Sequence, residues 1–142
     1  MTRRPLPSVR TLLLLASATV TLIAVRLALW VLPARVVLRS VADIADRCPV
    51  KGVPALRAIW RVVWAVQLTS RRVPGASCLT QALAAKLLLA RWGVHSQLHV
   101  GVARSEQGHF QAHAWLEAVG RVVIGDVGLE RYVRLPSLGA AL

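Results

Sequence analysis

Acidic side chains are scarce: six Asp and Glu stand against 18 Lys and Arg in 142 residues, for a formal net charge of +12. The imbalance belongs to one half. Residues 1–72 hold twelve basic side chains and two acidic ones, and residues 73–142 hold six and four. Such a surplus selects for anionic partners. The cations are strewn singly among Leu, Val and Ala with no nucleic-acid reader motif, so the expected partners are a membrane surface or a protein and not nucleic acid. Cysteine is nearly absent too. Cys48 and Cys78 are too few for a disulfide scaffold, and with no CxxC pair, no Cys/His cluster and no H-E-x-x-H helix, no metal site is expected. At this length the chain has room for one domain and an accessory segment: residues 1–72 as basic apolar helices, residues 73–142 as the core.

Long apolar stretches are what the first half does have. "TLLLLASATVTLIAV" (11–25) is uncharged, and Arg26 interrupts the apolar run before Pro33. A bilayer-spanning helix needs about 20 apolar residues and tolerates a mid-depth arginine poorly. Arg3 and Arg4 ahead of a Leu run, with Ala16-Ser17-Ala18 after it, resemble a secretion signal, although the apolar stretch before that site is short. The favoured reading is a helix over 11–32 that packs on the domain or lies against a membrane. Pro33 breaks it, and a second helix is predicted over 34–48, with Cys48 as a buried small hydrophobe. Pro49 and Pro54 around Lys51-Gly52 mark a linker. In the helix predicted over 55–70, Ile59, Val62, Val63 and Val66 share one face while Arg57, Trp60, Arg61 and Trp64 share the other. The first is a core face. The second suits a half-wet contact with a partner or a membrane interface, because indole and guanidinium groups combine apolar bodies with polar tips.

The second half changes period. In "PGASCLTQALAAKLLLARWG" (74–93), Ser77 is an N-cap, Gly93 sits where a helix-ending glycine belongs, and Cys78 opens the helix between them. The orphan amides at a helix start stabilise a thiolate. Cys78, Ala82, Ala85 and Leu89 form one stripe, whose alanines permit close approach to another element. After Gly93, "HSQLHVGVA", "HFQAHAWLE" and "RVVIGD" alternate with period two and read as three antiparallel strands, the last pair joined at Val119-Gly120. A two-residue hairpin there sets His113 opposite Asp126, with Cβ atoms about 4.5–5.5 Å apart. A helix-start cysteine, a strand histidine and a carboxylate on the adjoining strand follow the chain order of a papain- or transglutaminase-type Cys-His-acid site. Cys78, His113 and Asp126 are therefore the expected catalytic residues. Trp115, on the same strand face as His113, either roofs the imidazole or walls the substrate groove. His95, His99 and His109 are read as non-catalytic.

"SCLTQALAAKLLLARWG", "LHVGVA", "FQAHAWLE" and "GRVVIGD", in that order over about residues 70–132, resemble the transglutaminase-like leader peptidase of lasso-peptide biosynthesis in its standalone form. The resemblance implies an α+β fold, with a Cys-bearing helix packed on a small antiparallel sheet behind N-terminal helices. It also implies a cofactor-free cysteine peptidase acting through Cys78, His113 and Asp126. Its implied partners are a lasso precursor peptide, a separate leader-recognition protein and an ATP-dependent macrolactam synthetase. The expected place is the cytoplasm, with the basic apolar helices of the first half, outside the resemblance, as a route to membrane association. An acyl transferase built on the same three residues, and a non-enzymatic membrane-associated adaptor carried by the basic half, are the rival expectations.

Overall fold

The computed structural model describes residues 6–52 and 56–136. Arg3, Arg4 and Pro54 lie outside the described residues. Four helices precede the sheet: α1 (Val9–Val31), α2 (Ala34–Arg47), α3 (Leu56–Ser70) and α4 (Cys78–Arg91). Strands β1 (Ser96–Arg104), β2 (Phe110–Ala118), β3 (Arg121–Ile124) and β4 (Val133–Arg134) form one antiparallel sheet in the order β3-β2-β1-β4, and a 3-10 turn, Leu129–Arg131, leads into β4. This is an α+β chain in which α4 packs on a small antiparallel sheet.

Local chemistry sets the helix ends. Ser8 and Ser77 cap α1 and α4 by accepting from the main-chain N–H groups of Thr11 and Thr80, each at 3.3 Å, which satisfies donors that a helix start leaves unpaired. Helix α4 closes on Gly93 at φ 78°. There Gly93 N–H reaches the Ala90 carbonyl and Val94 N–H reaches that of Leu89, both at 2.9 Å, as a left-handed glycine end allows. Pro33 separates α1 from α2 as its sequence position predicts. Cys48, expected to be buried, is only partly so: it caps the C-terminus of α2 and directs Sγ at the Ile44 carbonyl.

The main core joins residues from both sides of position 72. Leu14, Ala18 and Leu22 of α1, with Ile59, Val62 and Val66 of α3, pack on Ala82, Ala85 and Leu89 of α4, which in turn covers Ala114 and Leu116 of β2. A second cluster holds Val25, Val37, Val41 and Leu83 together. Helix α1 is long and apolar enough to cross a membrane, yet Leu14, Leu22 and Val25 are buried in the protein. Each such side chain contributes about 1.5–3 kcal/mol by leaving water, so lifting α1 off would forfeit a sum comparable to a domain's whole stability of about 5–15 kcal/mol.

The β2–β3 connection is the predicted two-residue hairpin, with Val119 at φ 49° and Gly120 at φ 73°. Hairpins of this length favour positive φ at their central residues, but a β-branched residue is strained in that region. Two outcomes follow in urea denaturation. Val119→Asn should raise unfolding free energy by about 1 kcal/mol, because asparagine accepts the left-handed conformation more readily. Leu22→Ala should lower it by about 2–5 kcal/mol, while Val20→Ala, exposed on the opposite face of the same helix, should change it by less than about 0.5 kcal/mol.

Candidate active site

Odd and even positions of β2 divide the chemistry. Ala114, Leu116 and Ala118 face the helices, and His113, Trp115 and Glu117 face the other way, beside His99 of the paired strand. On this polar face the indole of Trp115 stacks with His99 (5.7 Å between centroids) and with His113 (6.3 Å). Tyr132 lies 5.1 Å from the His113 ring, and the Arg134 guanidinium sits 5.5 Å over Trp115. Glu117 accepts from Arg134 at 2.8 Å and lies 3.2 Å from His99 Nε2. Gly101 makes the stack possible: a Cβ there would come within 2.9 Å of the Trp115 ring.

The imidazole of His113 is anchored by main chain. Its Nε2 is 2.7 Å from the Gly125 carbonyl oxygen. A carbonyl only accepts, so Nε2 carries the hydrogen and, in the neutral ring, Nδ1 holds the lone pair. The expected pairing of His113 with Asp126 is not formed. The hairpin starts in the predicted register, Ala118 to Arg121 and Glu117 to Val122, and then shifts, so that Leu116 meets Ile124. Val123 is the additional residue of a β-bulge. The cause is apolar: Val123 and Ile124 are both buried in the core, which strict alternation forbids. The shift carries Gly125 level with β2, at φ 82°, where an added Cβ would stand 2.6 Å from the Ala114 carbonyl oxygen. Asp126 follows outside the strand with its side chain exposed.

Cys78 occupies the first turn of α4, partly buried against the main core. Among the described residues, no hydrogen bond joins its thiol, or the Asp126 carboxylate, to His113. Trp115, expected on a substrate or partner surface, is 1% exposed and offers none; it lies against the imidazole instead. Trp60, Trp64, Arg57 and Arg61 are exposed on α3, opposite its buried Ile59, Val62, Val63 and Val66. His95 and His109 are exposed just ahead of β1 and β2. No group of three His, Cys, Asp or Glu among the described residues is placed to hold a metal ion.

Sequence reasoning missed Tyr132, Arg134 and the Gly125 carbonyl. The two-residue β4 is too short to show a period, and it reaches the site only by pairing with β1 across the sheet. Tyr132 is the chain's single tyrosine, six residues past Asp126, and that was the one available signal.

A helix-start cysteine and an oriented strand histidine are two of the groups that a thiol-dependent acyl-transfer site uses. The transglutaminase-like superfamily model matches residues 20–137, most of the chain, and the protein belongs to that superfamily. Members of this class commonly use a Cys-His-Asp set as peptidases or acyl transferases. No curated protein and no solved structure matches the chain.

In ¹⁵N-resolved spectra of the neutral protein, His113 should show its hydrogen on Nε2. Gly125→Ala combines a side chain at positive φ with the 2.6 Å clash. It should cost roughly 1–3 kcal/mol and mix the two tautomers.

Proposed function

We propose that this chain is a cysteine peptidase that removes the leader from a ribosomally made lasso-peptide precursor. The observation that carries the reading is the placement of Cys78 at the capped start of α4, in a transglutaminase-like chain whose strand histidine keeps Nδ1 free of the Gly125 bond. The similarity of its Ser-Cys-Leu, Ala-His-Ala-Trp and Gly-Asp segments to standalone leader peptidases narrows the substrate.

The chemistry runs through the residues at hand. The reading requires Nδ1 of His113, which in the free chain projects on the sheet face turned away from the helices, to come within reach of the Cys78 thiol and take its proton; the thiolate then attacks the scissile carbonyl carbon at the leader–core junction. The Cys78 main-chain N–H, one of the orphan donors at the helix start, receives the oxyanion. The imidazolium returns its proton to the departing amine, the C–N bond breaks, and water then hydrolyses the thioester to free Cys78. The Gly125 carbonyl orients the ring by accepting from Nε2, the part expected of Asp126. Catalytic contacts that are long in a free enzyme shorten when substrate binds.

In this reading a separate recognition protein holds the leader, with the Arg57, Trp60, Arg61 and Trp64 face of α3 as its docking surface. An ATP-dependent macrolactam synthetase then closes the ring on the new N-terminus, in the cytoplasm. Acyl transfer to an amine would use the same thioester, the outcome depending on whether water or amine reaches it.

Mass spectrometry of a precursor incubated with this protein and a recognition protein tests the reading. Wild type should cut at one site with a mass gain of one water across the products, and Cys78→Ala should lose at least about 10³-fold in rate. An amine adduct in place of hydrolysis would make the protein a transferase. Cleavage by Cys78→Ala would remove the thiol from the mechanism, and a function that survives the substitution without any cleavage would favour an adaptor.

A further inference from the structure

Helix α1 is buried along one side and apolar along the other. Val9, Leu12, Val20, Ile23, Leu27 and Trp30 are all exposed. At about 100° per residue they fall within one stripe running the length of a helix about 34 Å long. No charge interrupts it. Arg10 and Arg26 lie on its two flanks. The threonines of α1 are turned onto their own helix: Thr19 and Thr21 donate to the carbonyls of Leu15 and Ser17 at 2.8 and 2.7 Å, and Thr11 bonds to Ser8.

Beside this stripe, on the flank that carries Leu13, opens a cavity of about 670 Å³. Arg10, Lys51, Arg61 and Arg91 line it above an apolar floor that includes Leu88 and Trp92, and no carboxylate is among its lining residues. Among the described residues, the ion pairs of the chain involve only His99, Arg134 and Glu117, so none of these four cations is neutralised by a salt bridge there.

We infer that α1 lies in the plane of an anionic phospholipid bilayer, its exposed stripe among the acyl chains and the cavity's Arg10, Lys51 and Arg91 around a lipid phosphate. Three features favour lipid over a protein partner. Apart from the Trp30 indole N–H at its end, the stripe offers no hydrogen-bonding group to set the register of a protein contact. Its flanking arginines and terminal Trp30 suit the headgroup boundary of a bilayer. The basic half of the chain supplies the long-range attraction that anionic lipid requires. The helix lies in the surface and does not span it, because its buried side carries the main core. This inference does not depend on which substrate Cys78 takes.

Co-sedimentation of the full chain with vesicles tests it. Vesicles of phosphatidylcholine mixed with phosphatidylglycerol should retain the protein at least about tenfold better than phosphatidylcholine alone, with the advantage shrinking as salt rises. Val20→Glu with Leu27→Glu, both at exposed positions (67% and 54%), should reduce retention at least about tenfold while the thermal melt is kept. Arg10→Gln with Arg91→Gln should reduce it about fivefold per cation on anionic vesicles only. Brominated lipid, which needs no folding control, should quench wild-type fluorescence, and Trp30→Phe should remove much of that quenching. Equal retention on both vesicle types would overturn the inference. So would a Glu variant that keeps its vesicle binding but loses a stoichiometric complex with a protein.

Discussion

Helix α4 is the member on which the other elements are assembled. It is covered by α1, α2 and α3 on its outer sides and by β1 and β2 beneath. Its buried positions are Thr80, Ala82, Leu83, Ala84, Ala85, Leu88, Leu89 and Ala90. The alanines let neighbouring backbones approach closely enough for one 14-residue helix to be packed on nearly every side at interior density. That burial also fixes where the thiol stands. Cys78 is held, partly exposed, at the N-terminal end of α4, where the capped first turn still presents main-chain N–H groups.

The sheet supplies a second constraint from the same source. Because Val123 and Ile124 both enter the core, β3 must bulge, and the bulge exchanges a carboxylate for a main-chain carbonyl as the partner of His113. A carbonyl has no protonation state, so the tautomer it sets does not vary with the ionisation of Asp126. Trp115, itself stacked on His99, and Tyr132 pack around the ring and restrict imidazole rotation, with Gly101 giving the indole its space.

Burial shapes the electrostatics elsewhere as well. Lys86, donating to the Ser96 carbonyl at 2.7 Å, has its pKa lowered by loss of solvent, with Asp46 acting in the opposite sense. The basic surplus of the first half is instead carried at the surface, around a helix that is itself half core and half apolar exterior. One helix therefore answers two solvents, the protein interior through Leu14, Ala18, Leu22 and Val25 and whatever meets the opposite stripe.

Much of this was legible residue by residue. Period 3.6 before Gly93 and period 2 after it, Ser77 and Gly93 as helix ends, Pro33 as a break, Val119-Gly120 as a turn and the inward face of α3 are local properties, set by φ/ψ sterics, capping and side-chain spacing within a few residues. The positions of Cys78 at a helix start and His113 on a strand are local in the same sense. What the tertiary structure alone decided was long-range. The bulge depends on two adjacent apolar residues finding room in a core made largely by other helices. Tyr132 and Arg134 reach the imidazole and indole only because β4 joins β1 at the far side of the sheet. Trp115 is enclosed rather than exposed because side chains from neighbouring strands and the turn beside them close over it. A sequence states which groups are near along the chain; which groups are near through space was settled by the packing of α4 against everything else.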